Sequence, residues 1–227
     1  MRFCLAVVLA LLPLTFVFGQ QQQSFMEVKG ADGDVEPFDF EFSTSGYKYV
    51  LSSNGRGRRE GQQPARTFNL RLHRDDHLTR ALYHAEFQGD LLLICEYSDV
   101  EYGAGFITRL DGQTLRTKWK RSIPAFNIGP GLIDGRFAYV TAIGFIGKVN
   151  LETGAYAWKH ASLYRTSRPK ASAYADADFN SFELPEVEGN FVIFKEVETY
   201  ANVLSPKILK VDKRSGRIVR LTTVTSN

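Results

Sequence analysis

The segment GFIGKVNLETGAYAWKH, residues 144–160, decides the fold because it joins a strand, a tight turn and a second strand in one short unit. Its apolar first half ends at Asn150, and the polar turn NLETG follows. An Asn side chain can accept hydrogen bonds from backbone N–H groups two residues on, and Gly154 supplies the positive φ that closes a hairpin. The segment therefore predicts a β-hairpin whose second strand carries Trp158.

Two other stretches repeat this unit in the same order. They are GFITRLDGQTLRTKWKR (105–121) and SPKILKVDKRSGRIVRL (205–221). Trp119 holds the position of Trp158 in the first of them, and a side chain of that size can fill the gap between neighbouring sheets. The segment FNLRLHRDDHLTRALYH (68–84) is interpreted as a degenerate fourth copy.

A second kind of apolar run alternates with these hairpins, and each run follows a Gly-containing turn pair. The runs are YKYVLSS (47–53), DLLLICEY (90–97), RFAYVTAIG (136–144) and NFVIFKEV (190–197). No stretch of a dozen residues shows convincing helical periodicity. The sequence thus predicts an all-β, β-propeller-like fold, because four-stranded units must stack on one another to cover their faces. About four such units fill the chain, and a weak N-terminal unit would make five.

The repeat resembles that of the pyrroloquinoline-quinone-like β-propellers, the superfamily of the quinoprotein alcohol dehydrogenases. Its pattern runs Gly, apolar, Asp, two variable residues, Gly, two more, then Trp-Lys, and the matching residues here are Gly147, Val149, Gly154, Trp158 and Lys159. Arg220 replaces the Trp in one copy, and Leu115 replaces the Gly in another. The superfamily includes dehydrogenases and non-catalytic periplasmic scaffolds. Most of its propellers have seven or eight blades, so the resemblance implies a small propeller or an incomplete one that self-association would complete.

The N-terminus predicts export. Arg2 precedes an apolar run over residues 3–18, and Gly19 provides a small residue at the expected cleavage point. The run is shorter than the roughly 20 residues that span a bilayer, so we expect a cleaved signal peptide over 1–19 and no membrane span. The repeat domain would then occupy 20–227 of a secreted or periplasmic protein. A membrane anchor is the alternative.

Charge and cysteine content exclude some classes of function. A formal net charge of +3 is too close to balance to indicate a nucleic acid partner. Removal of the signal peptide leaves Cys95 alone, so the core and not a disulfide must stabilise the chain. A dehydrogenase of the quinoprotein type would need a longer chain and usually an adjacent cysteine pair, so we expect the non-catalytic type.

The largest insertion in the repeat, residues 162–185, is the predicted binding site. Insertions of this kind project from a propeller face, where binding residues concentrate. The residues that we expect to contact a protein or glycan partner are Tyr164, Arg165, Arg168 and Tyr174.

Three oxygen-bearing side chains in the same insertion, Asp176, Asp178 and Asn180, have the alternating spacing of a calcium loop. Ser181 stands where such a loop has its turn glycine, and Val187 stands where it has its last carboxylate. Solvated loop acids are therefore the alternative. No cofactor is predicted apart from this calcium ion.

Two polar clusters precede the second unit. His73 and His77, with the acids between them, could in principle bind a metal, although exposed turn residues are the default reading. The basic run GRGRRE (55–60) is interpreted as an exposed hairpin tip.

The functional prediction is a binding or scaffold module that engages a protein or a glycan through loops on one blade face. No nucleophile elbow, phosphate-binding glycine loop or metalloprotease spacing occurs in the sequence. The alternative is a small propeller hydrolase or lyase that acts on extracellular carbohydrate, with carboxylates on the inner strands.

Overall fold

The computed structural model describes residues 22–28, 39–61, 64–98, 103–161, 163, 181–197 and 206–223. Within these ranges all regular structure is β-strand, and every pair of neighbouring strands is antiparallel. The strands form four sheets. The predicted all-β class is confirmed.

Each sheet is built mainly from four consecutive strands. Two short strands come first and join later sheets: β1 (Gln22–Ser24) and β2 (Met26–Glu27). Sheet 1 contains β3 (Asp39–Thr44), β4 (Tyr47–Ser52), β5 (Arg56–Arg59) and β6 (Arg66–Asn69). Sheet 2 contains β7 (His77–Phe87), β8 (Asp90–Ser98), β9 (Gly103–Leu110) and β10 (Thr117–Ile123).

The second half of the chain follows the same plan. Sheet 3 contains β11 (Leu132–Asp134), β12 (Phe137–Ala142), β13 (Phe145–Asn150) and β14 (Tyr156–His160). Sheet 4 contains β15 (Ser181–Phe182), β16 (Glu186–Glu188), β17 (Phe191–Val197), β18 (Lys207–Asp212) and β19 (Ile218–Thr223). Both β15 and β16 pair with β17, so they share the place of a first strand.

The four predicted apolar runs are the second strands of the four sheets, and the three predicted hairpins are their third and fourth strands. The interpretation of 68–84 as a fourth hairpin was wrong. This segment holds the end of β6, a connection and most of β7, so it crosses from sheet 1 to sheet 2. The run 55–60 is likewise no hairpin tip, because it contains β5, in which Arg59 is 2% exposed.

Residues 22–28 fasten sheets 2 and 3 together instead of forming a fifth unit. Strand β1 pairs with β11 of sheet 3, and β2 pairs with β7 of sheet 2. Between them, the Phe25 amide donates to the Gly131 carbonyl at 2.9 Å, and the Phe25 ring is buried in the core that the two sheets share. One short peptide therefore completes the free edges of two sheets.

The sheets pack face to face in chain order. Three clusters of buried side chains lie between sheets 1 and 2, between sheets 2 and 3, and between sheets 3 and 4. No such cluster among the described residues joins sheet 4 to sheet 1. Four-stranded sheets that cover one another in sequence are the arrangement of propeller blades, and the propeller-like fold is confirmed at four blades.

The turn between the third and fourth strands has the same hydrogen-bonding pattern in sheets 2, 3 and 4. Asp111, Asn150 and Asp212 each accept hydrogen bonds from backbone N–H groups two or three residues on, at 2.7–3.2 Å. The φ of Gly154 is +70° and that of Gly216 is +74°. Leu115 adopts the same left-handed conformation, with a φ of +58°, although it has a Cβ. Its side chain is buried in the core between sheets 1 and 2, which offsets the backbone cost.

These turns are also where one sheet docks on the next, as the tryptophan positions predict. The Trp119 indole of sheet 2 donates to the Leu151 carbonyl of sheet 3 at 3.0 Å, and its ring lies against Gly154. Trp158 of sheet 3 repeats both contacts on sheet 4, with a 3.1 Å bond to Lys213 and its ring against Gly216.

A cation in the third strand reinforces each junction. Arg109 donates to the Leu151 carbonyl at 2.8 Å, and Lys148 donates to the Lys213 carbonyl at 2.7 Å. At the first junction Arg59 donates to the Gly112 carbonyl at 2.6 Å.

The antiparallel order gives the molecule two different ends. The turns between first and second strands and between third and fourth strands are short, and they define the turn end. The strand ends that are joined by the connections from second to third strands and from sheet to sheet lie at the opposite end, called the loop end below. Strand β14 finishes at the loop end and β15 starts there, so the described residues on either side of 164–180 lie at this face.

Candidate functional site at the loop end

A pocket of about 390 Å³ opens at the loop end between sheets 1 and 2. One wall is the connection from β6 to β7, which contributes Arg71, Leu72, His73 and Asp76. The other wall comes from sheet 2 and includes Tyr97, Gly105, Phe106, Lys120 and Ser122. Its volume falls within the range of about 300–1,000 Å³ that small-molecule sites occupy.

The Lys120 ammonium group occupies a defined position in this pocket. It donates to the Leu70 carbonyl at 2.8 Å and approaches the Arg71 carbonyl at 3.4 Å. It also lies 3.9 Å from the centre of the Phe106 ring, in cation–π geometry. Burial of the ammonium group lowers the pKa of Lys120, against the attraction of Cys95 and Asp76.

The acidic and imidazole groups of the pocket face local partners. Asp76 accepts a hydrogen bond from the His73 amide at 3.1 Å, which closes the connection into a turn. Just outside the pocket, His77 lies 3.4 Å from the Ser98 hydroxyl. Within the part of the chain that the structure describes, no group of three or more His, Cys, Asp or Glu side chains is placed to hold a metal ion. The histidine cluster therefore gains no support as a metal site.

A buried carboxyl group lies farther along the loop end, in sheet 4. Glu196 is 7% exposed and accepts a hydrogen bond from the Lys207 amide at 2.9 Å. Burial raises the pKa of Glu196 to about 7, while the Lys207 amide and charge act in the opposite direction. Glu96 has the same place in sheet 2, where it accepts from the Ile128 amide at 2.9 Å. The two glutamates anchor chain connections at this end of the molecule.

The predicted partner-binding residues, Tyr164, Arg165, Arg168 and Tyr174, lie outside the described residues. The predicted calcium ligands, Asp176, Asp178 and Asn180, lie outside them as well. Both predictions stay predictions. Ser181, the first described residue after the predicted calcium ligands, accepts a hydrogen bond from the side-chain amide of Asn127 at 2.6 Å. This bond joins the start of β15 to the connection between sheets 2 and 3.

Sequence reasoning missed the pocket at Lys120. The lysine was visible as the second member of a Trp-Lys pair, which recurs at Trp158 and Lys159. What distinguishes Lys120 is the connection over 70–76 that packs beside it, whereas the sequence pattern indicates a hairpin in this segment. A correct assignment of 68–84 as a crossover would have placed Arg71, His73 and Asp76 beside the outer strand of sheet 2.

The buried cysteine behaves as predicted. Cys95 is fully buried in the core between sheets 1 and 2, and burial raises the pKa of its thiol far above the usual range. A thiol in this setting is a packing group. Separately, none of the described residues forms a helix with the length and apolarity that crossing a bilayer would require.

Comparison with known proteins finds likeness in fold only at low sequence identity. No family model matches the chain, and no curated protein matches it. Among solved structures, the quinohemoprotein alcohol dehydrogenase from Comamonas testosteroni is similar over 91% of this chain, with 11% sequence identity and a TM-score of 0.38. The chain spans 45% of the length of that dehydrogenase.

Proposed function

We propose that this protein is a secreted or periplasmic binding or scaffold module of the non-catalytic pyrroloquinoline-quinone-like type. It engages a protein or a glycan through its loop end. The observation that carries the proposal is that His160 and Ser181, on either side of the predicted binding residues, lie at the same end of the sheets as the pocket beside Lys120. Loops held on a rigid stack of sheets are common places for recognition.

The different contacts made at the two ends of the sheets support this proposal. At the turn end, the repeated turns are occupied with holding one sheet on the next through Trp119, Trp158 and the third-strand cations. The tryptophans and third-strand cations that make these contacts cannot be replaced for binding without weakening the stack. The sheet-to-sheet connections start and finish at the loop end, and they are longer than the repeated turns.

Replacement of residues 164–180 by a glycine-serine linker tests the proposal. The exported chain and the replacement variant are applied to protein and glycan arrays, and we expect the variant to lose at least tenfold in capture of whichever partner binds. An exposed turn-end substitution, Arg214→Ala, is the control and should leave capture unchanged. Equal capture by the linker variant would overturn the proposed role of the insertion.

The same arrays test calcium binding. If Asp176, Asp178 and Asn180 hold calcium, a chelator should reduce capture and the double substitution Asp176→Asn, Asp178→Asn should remove the effect of the chelator. If the chelator does not change capture, the calcium site is overturned and these acids are solvated loop residues.

The alternative, a hydrolase or lyase, has one observation in its favour. The pKa of Glu196, raised to about 7, is that of a carboxyl group that can act as a general acid near neutral pH. Release of reducing sugar from array glycans, abolished by Glu196→Gln, would favour the enzyme. Binding without release would favour the module.

A further inference from the structure

We infer that the pocket between sheets 1 and 2 binds a small molecule through a carboxylate group held by the Lys120 ammonium. This inference rests on the proposed function, because it names the ligand chemistry of the loop end. Uronic acid sugars are the members of this class that the pocket fits best.

The first argument is the hydrogen bonding of Lys120. A lysine ammonium has three donors, and two of them face the neutral carbonyls of Leu70 and Arg71. Among the described residues, no carboxylate lies within ion-pair distance of this ammonium. Lys118, two residues earlier, shows the contrast, since it contacts Asp90 at 2.7 Å and Asp111 at 3.2 Å. Lys120 thus has one donor left for a ligand, and the groups in direct contact with its ammonium are neutral carbonyls and the Phe106 ring.

The second argument is the charge of the lining. Arg71 lies in the same wall as Asp76, the one acidic residue of the described lining, and Lys120 lies in the opposite wall. An anion is favoured by the cations, while Asp76 repels a second negative charge. A carboxylate, with one charge, fits this balance better than a phosphate with nearly two.

The third argument is the remainder of the pocket. Tyr97 supplies an aromatic ring and Ser122 supplies a hydroxyl group near Lys120. A sugar ring offers an apolar face to the first and hydroxyl groups to the second, whereas a simple aliphatic acid offers neither. The lining therefore favours a uronate over an organic acid.

The test is a titration of the exported chain with galacturonate and glucuronate, followed by calorimetry and by the amide NMR signals of Gly105 and Ser122. Galactose, succinate and inorganic phosphate are titrated in parallel. We expect a uronate to bind at least tenfold more tightly than galactose, because a charge-assisted hydrogen bond contributes about that much. Tighter binding of succinate would assign the site to organic acids, and tighter binding of phosphate would overturn the carboxylate assignment.

Matched variants identify the residue responsible. Lys120→Met removes the ammonium and keeps the stem, while Lys159→Met makes the same change at the equivalent, exposed position of sheet 3. We expect about a tenfold loss of uronate affinity in the first variant and no change in the second. Lys120→Gln, with a thermal unfolding curve for each variant, separates lost binding from lost folding.

Failure of this inference can be distinguished from failure of the proposed function. A wild-type pocket that does not bind uronates, or a Lys120→Met variant that binds them equally well, overturns this inference. Partner capture that depends on 164–180 would still stand in that case.

Discussion

At the scale of single residues, the turn glycines carry much of the specificity of the fold. Gly154 has a φ of +70°, and a Cβ there would lie 2.6–2.8 Å from atoms of the Trp119 ring. Gly89 has a similar φ of +77°, but a Cβ there would meet nothing within 4 Å. The two positions separate backbone strain from close packing between sheets.

We expect Gly154→Ala to lower the free energy of unfolding by about 2–4 kcal/mol, because strain and overpacking add. Gly89→Ala should cost only about 1 kcal/mol, from the left-handed backbone alone. Urea unfolding followed by tryptophan fluorescence measures both. Equal losses at the two sites would show that Trp119 does not lie on Gly154.

Glu196 should make stability depend on pH. Its pKa is about 7 in the folded protein against an ordinary value of 4.5, so between these values the folded state holds a proton that the unfolded state has released. The stabilisation is complete below pH 4.5 and is lost as pH rises through 7. It amounts to about 3 kcal/mol.

Glu196→Gln should remove this part of the pH profile, so that the gap between variant and wild type changes steadily from pH 4.5 to 7.5. Glu152→Gln, at an exposed turn position, alters net charge equally and should keep the wild-type profile. Unfolding curves at several pH values give the comparison. A Glu196→Gln profile parallel to that of the wild type would contradict the raised pKa.

At the scale of elements, the N-terminal peptide tests how sheets 2 and 3 are held together. Phe25 is 4% exposed between the two sheets, whereas the next residue, Met26, is 50% exposed. We expect Phe25→Ala to lower the free energy of unfolding by about 3 kcal/mol and Met26→Ala to change it by less than about 0.5 kcal/mol. Thermal unfolding distinguishes the two. A small effect at Phe25 would mean that β1 and β2 do not bridge the sheets.

Local patterns predicted the elements that are stabilised locally. The prediction was correct for the strands at 90–97 and 190–197 and for the three Asp/Asn turns. Apolar strands and tight turns depend on residues that are adjacent in the sequence, so a local pattern can predict them. The crossover at 68–84 was misassigned because its two strands belong to different sheets and a polar connection between them looks like a turn. The bridging of two sheets by residues 22–28 depends on long-range pairing, which no local pattern reveals.

At the scale of the whole molecule, the four sheets pack on one another in chain order. The outer faces of the first and last sheets carry ion pairs, such as Lys48–Glu41 at 2.8 Å and Lys210–Glu188 at 3.1 Å. Polar outer faces are typical of the terminal units of stacked-repeat proteins. Self-association that completes a ring stays a prediction of the sequence.

The most direct test of this stacking uses the two tryptophans of the chain, which give two indole N–H signals in an NMR spectrum. We expect nuclear Overhauser contacts from the Trp119 ring to the α-protons of Gly154, and from the Trp158 ring to those of Gly216, with both glycine signals shifted by the ring currents. Glycine signals at ordinary positions, with no contact to either indole, would contradict the stacking.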